Sequence, residues 1–75
     1  MLTVEAVREL IQKSFPAGEV AVSDMTGTSD HFAVDVVSEL FEGKSRIEQH
    51  KLVHASVGEH LGNAIHALKI STRTP

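Results

Sequence analysis

Between Phe41 and Glu48 the chain reads Phe-Glu-Gly-Lys-Ser-Arg-Ile-Glu, a glycine break followed at once by Ser45-x-x-Glu48. That pattern is a capping box. The serine hydroxyl accepts from the backbone N–H of the glutamate, and the glutamate carboxylate accepts from the backbone N–H of the serine. A helix is therefore expected over about 46–61, closed by Gly62-Asn63. It falls between two strand-like segments and is long enough for a crossover, which would be right-handed. The strand after it would then run parallel to one of the strands before it.

The other elements follow from periodicity. Thr3 can cap a first helix whose Val4, Val7, Leu10 and Ile11 make one apolar stripe, and Phe15-Pro16-Ala17-Gly18 ends it. Residues 19–25 set Val20 and Val22 against Ala21 and Ser23, as a half-buried strand does. Thr26–Asp30 is a turn cluster. His31–Ser38 then puts Phe32, Val34 and Val36 on one face with Asp35 on the other, so the two strands form a hairpin. Residues 64–71 read as a last strand, with Ile65 and Ala67 facing one way and His66, Leu68 and Ile70 the other. The expected architecture is α+β in the order α-β-β-α-β, with a three-stranded mixed sheet and both helices on one face.

The 75 residues suffice for one domain, 1–75, whose stability margin is thin at that size. No cysteine is present, which excludes disulfides and suits a reducing compartment. It also means that any metal held here takes His, Asp or Glu, or borrows thiolates from another molecule. The apolar runs are too short for a membrane span, and the N-terminal residues do not read as a targeting peptide. The net charge of −3 conceals a divide: two cations face eight acids in residues 1–43, and five face two in residues 44–75. That is a modest basic half, best read as a solvated mixed surface.

Enzymatic chemistry finds no support. There is no cysteine nucleophile, no GxGxxG or GxxxxGK[ST] phosphate loop and no recognisable serine–histidine triad context. Five histidines are the notable residue type. His50 and His54 have metal-ligand spacing, but on the helical wheel they share a sector with Ile47, Val53, Val57 and Leu61, so both read as packing positions. His60 reads as a solvated helix residue. His66 lies near the start of the last strand, where a side chain reaches the sheet edge, and His31 opens the second strand. A neutral imidazole from each can bind a borderline metal. Two are an incomplete set, so the remaining ligands would come from a partner.

The order α-β-β-α-β is also that of a type II KH-like module. A KH domain clamps nucleic acid with a GxxG loop. Here Gly58 and Gly62 are four apart and fall within the expected helix, and three phenylalanines with no Trp or Tyr provide poorly for base stacking.

The stretches His31–Val57 and Ala64–Pro75 resemble the BolA-like family. The resemblance rests on a strand ending Val-Val-Ser, then Phe41-x-Gly43, His50 with Leu52-Val53, and Ile65-His66-Ala67-Leu68. It implies a KH-like, non-enzymatic domain that partners a monothiol glutaredoxin. The two would share a two-iron two-sulfur cluster, with the glutaredoxin cysteine and glutathione on the other side, for iron–sulfur trafficking or iron and redox sensing. The family's ligands are a histidine near the C-terminus and a His or Cys in the loop between the first two strands. His66 matches the first. The loop Met25–Asp30 has neither residue, so His31 is the nearest second candidate. Gln49 stands where an arginine commonly precedes the helix histidine. The expected partner surface joins the surroundings of His66 to Lys44, Arg46 and Lys51. The alternative implied by the family is a DNA-binding transcription regulator using Lys44, Arg46, Lys51, Lys69 and Arg73. The expected location is cytoplasmic, or organellar after removal of a transit peptide.

Overall fold

In a computed structural model that describes residues 2–28 and 30–75, the first helix, α1, runs Val4–Ser14. Thr3 caps it as expected: its hydroxyl oxygen accepts from the Ala6 N–H at 3.0 Å. Of the expected stripe, Val7 and Ile11 are fully buried, while Val4 and Leu10 are half-buried. The Gln12 side-chain amide donates to the carbonyls of Phe15 and Gly18, at 2.6 and 3.0 Å, and so ties down the turn that leaves the helix. Gly18 is required there by space. A Cβ on it would stand 2.7 Å from the Val37 carbonyl oxygen.

The hairpin strands are β1, Glu19–Asp24, and β2, His31–Val37. They pair antiparallel from Glu19 opposite Val37 to Asp24 opposite Phe32. Phe32, Val34 and Val36 of β2 are buried, whereas His31, Ala33, Asp35 and Val37 are half-exposed on the opposite face. This period-two alternation is what one covered face produces. After a short 3-10 turn, Glu39–Phe41, the buried Phe41 ring packs on Phe15 with centroids 5.2 Å apart. Gly43 then takes φ +77°, a conformation that suits glycine.

The second helix, α2, is Arg46–Val57. Both arms of the capping box form: the Ser45 N–H donates to the Glu48 carboxylate at 3.0 Å, and the Glu48 N–H donates to the Ser45 hydroxyl oxygen at 3.2 Å. Two expectations for this helix are corrected. It ends at Val57, ahead of the expected 61, because Gly58 adopts φ +56° and a 3-10 turn follows at Gly58–His60. Gly62 lies in the succeeding turn, so neither glycine is inside the α-helix.

The buried stripe is also rotated. Val53 and Val57 are buried and Gln49, His50, Leu52 and Ser56 half-buried, but Ile47 is 69% exposed and His54 and Leu61 are exposed. A polar residue can occupy the inner edge because its bonds are met. Gln49 accepts from the Thr72 hydroxyl at 2.6 Å and donates to the Lys44 carbonyl at 2.9 Å.

The last strand, β3, is Ala67–Arg73, three residues later at its start than 64–71. Ile65 is buried in the core ahead of the strand, because a turn closed by Gly62 N–H donating to the Ile65 carbonyl holds it there. The sheet order is β1-β2-β3, with β3 parallel to the central β2. α1 packs on β1, α2 on β3, and the helices on each other, so the helix layer covers one face of a mixed sheet, as the sequence suggested. Leu68 and Ile70 pack towards the core. The intervening Lys69, Ser71 and Arg73 are exposed on the uncovered face. Among the described residues no helix is long and apolar enough to cross a membrane.

Candidate functional site

The parallel pairing of β2 and β3 begins with His31 opposite Ala67. The residues just before each strand, Asp30 and His66, are therefore neighbours. The Asp30 carbonyl accepts from the N–H of His66 at 2.7 Å and from that of Ala67 at 3.2 Å. The Asp30 side chain then bridges two imidazoles. Its Oδ1 lies 2.8 Å from His31 Nδ1, and its Oδ2 lies 3.2 Å from His66 Nδ1. The two rings stand edge to face, at 85°, with centroids 6.1 Å apart. Side-chain exposure is 37% for His31, 28% for Asp30 and 60% for His66, so the cluster is open to a visiting molecule.

The electrostatics of the cluster are those of a stabilised carboxylate. The Thr28 hydroxyl also donates to Asp30 Oδ1. This bond and that from His31 hold the Asp30 carboxyl below the ordinary aspartate value, helped by the charge of the two imidazoles. Nδ1 of His31 is hydrogen-bonded to Asp30 and Nδ1 of His66 faces it at ion-pair distance, so Nε2 is the nitrogen of each ring that does not meet the carboxylate. A carboxylate on the far nitrogen is the usual support of a metal-bound histidine. Among the described residues there is no group of three or more His, Cys, Asp or Glu placed to hold a metal ion.

The structure thus unites His31 and His66, which are separated by the whole crossover in sequence. It adds Asp30, which the sequence reading treated only as part of a turn. The signal for Asp30 was its adjacency to His31 in Ser-Asp-His. Its link to His66 needs the parallel register. The remaining histidines lie elsewhere: His50 is half-buried and His54 exposed on α2, and His60 follows it.

The basic residues named from the sequence lie on two elements. Lys44 and Arg46 stand at the N-terminal end of α2, about 18 Å along its axis from the end that leads towards His66. Lys51 is exposed on the same helix. Lys69 and Arg73 lie on the uncovered sheet face, and Arg73 makes a two-oxygen ion pair with Asp35 at 3.0 Å. The five cations therefore divide between two layers of the fold, with Lys44, Arg46 and Lys51 at the second helix and Lys69 and Arg73 on the sheet.

The fold and the site together define a small α+β module that displays an exposed pair of imidazoles at one end of its sheet. The chain belongs to the BolA-like family: the model of that family, described as BolA-like protein, matches residues 5–75. It is 53% identical over 49 residues to human BolA-like protein 1, an alignment covering 65% of this chain and 36% of that protein. The aligned stretch therefore spans about a third of that relative's length. It is 42% identical over 76 residues to human BolA-like protein 2, covering 99% of this chain and 87% of that protein. The solved BolA domain of SufE1 from Arabidopsis thaliana superimposes with a TM-score of 0.84 at 30% identity, covering 100% of this chain and 96% of the other.

Proposed function

We propose that this protein is a non-enzymatic adaptor that docks on a monothiol glutaredoxin and shares a two-iron two-sulfur cluster with it. His66 is the first ligand from this chain and His31 the second. The observation that carries the reading is the pairing of two solvent-accessible imidazoles, each facing one carboxylate with its Nδ1, with no group of three or more metal-ligating side chains among the described residues. Such a pair is half of a coordination set. An iron–sulfur cluster accepts two histidines in place of two thiolates on one iron. The thiolates must come from elsewhere, since this chain has no cysteine. A glutaredoxin cysteine and glutathione supply them. Membership of the BolA-like family supports the same role, as does the likeness to the BolA domain of SufE1. A KH-like description fits the α-β-β-α-β order, but the site itself is at the sheet end rather than in a glycine loop.

The test is a titration of this chain into a monothiol glutaredoxin loaded with the cluster, followed by visible absorption and circular dichroism. New bands at one equivalent are expected. An unchanged spectrum overturns the shared-cluster reading. His66→Ala is expected to remove most of the change and His60→Ala to leave it intact; equal effects would strip His66 of its ligand role.

A further inference from the structure

We propose that Asp30 is a positioning residue that sets the tautomer of both His31 and His66, making Nε2 the only ligating nitrogen of each ring. The inference deepens the reading above, on which it rests for its functional meaning, but its geometry stands apart from any cluster.

Three observations converge on Asp30. Its two carboxylate oxygens are divided between the rings, Oδ1 at 2.8 Å from His31 Nδ1 and Oδ2 at 3.2 Å from His66 Nδ1. Its backbone carbonyl receives the N–H groups of His66 and Ala67, so the carboxylate is anchored at the first rung of the parallel ladder. Its Oδ1 also accepts from the Thr28 hydroxyl, which limits rotation of the carboxylate. An ionised carboxylate only accepts, so a neutral imidazole facing it must carry its proton on Nδ1. The lone pair is then on Nε2, facing away from Asp30. In neutral histidine the choice of tautomer is made by the bond on the other nitrogen. Here a single side chain faces Nδ1 of both rings, hydrogen-bonded to that of His31 and at ion-pair distance from that of His66. Both become ready to ligate together, and losing Asp30 releases both.

Tautomers are read directly from nitrogen-15 and proton correlation spectra of the imidazoles, recorded on the cluster-free chain above the pH at which the rings protonate. His31 and His66 are expected as Nδ1–H tautomers. Asp30→Ala is expected to shift both towards Nε2–H while the His50, His54 and His60 signals stay in place, which also shows that the variant is folded. Asp30→Asn keeps one acceptor oxygen and presents an amide donor on the other side. It is expected to flip one ring only, and it provides a second variant should the alanine form fold poorly. Either ring found as Nε2–H in the wild-type chain, or both rings unmoved in Asp30→Ala, overturns the proposal.

The glutaredoxin titration is a separate arm. If Asp30 positions ligands, Asp30→Ala weakens the spectral response about 10- to 100-fold, the usual effect of losing a partner behind a metal ligand. If the wild-type chain gives no response at all, the cluster reading fails while the tautomer result still decides the role of Asp30.

Discussion

The two ends of β2 are built in opposite ways. At its C-terminal end, Val37 closes over Gly18, Ser38 is buried, the Phe41 ring packs on Phe15, and the capping box launches α2. At its N-terminal end, His31 and Asp30 are partly exposed, and the neighbouring segment supplies another exposed histidine. One end is held by apolar volume and backbone fit, the other by hydrogen bonds to a carboxylate in water. Binding groups tolerate exposure because exposed polar groups add little to stability. A module of this size therefore concentrates its packing at one end and leaves the other free for recognition.

The contrast can be broken by substitution. Phe41→Ala should cost about 3–5 kcal/mol, as loss of a buried ring does, and the chain should unfold well below the wild-type midpoint in urea. A midpoint close to wild type would show that this end is not where the packing lies. Gly18→Ala should cost roughly 1–3 kcal/mol, because the new Cβ meets a backbone oxygen that cannot rotate away. Ser45→Ala should cost about 1 kcal/mol through the lost cap, read in the same denaturation.

Acid titration sharpens the comparison further. Glu48 has its carboxyl held below the ordinary glutamate value, chiefly by the backbone and hydroxyl of Ser45. A carboxyl whose folded value is lowered stabilises the protein above the unfolded value, about 4.5, and that contribution fades as pH falls through the lower folded value. The difference in melting temperature between wild type and Glu48→Gln should thus be constant at neutral pH and vanish in acid. A difference that grew in acid would reverse the assignment. The smallest effect on stability is expected at the other end: His66→Ala should shift the unfolding free energy by less than about 0.5 kcal/mol while removing the response to cluster-loaded glutaredoxin.

These regions also differ in how well they could be read in advance. The caps at Thr3 and at Ser45–Glu48 are local, involving partners three residues apart, so the sequence displayed them fully. The alternation of Phe32, Val34 and Val36 is local as well. The wheel of α2 misled because its inner edge includes Gln49 and Ser56, whose polar atoms find partners, while the apolar Ile47 is left outside. Its end misled because Gly58, rather than Gly62, breaks the α repeat, and both carry positive φ. His31 and His66 were singled out by position and family resemblance. That they meet one carboxylate was not legible, because they are 35 positions apart in the chain.

The sequence by itself determined the element order, the caps, the hairpin face and the lack of any thiolate, since each depends on residue type or on spacings within a few positions. The tertiary structure alone decided which side of α2 is buried, how the basic residues divide between layers, and the meeting of Asp30, His31 and His66. That meeting depends on the parallel register of β2 and β3, which is fixed only when the crossover helix has packed and the two strands share their first rung.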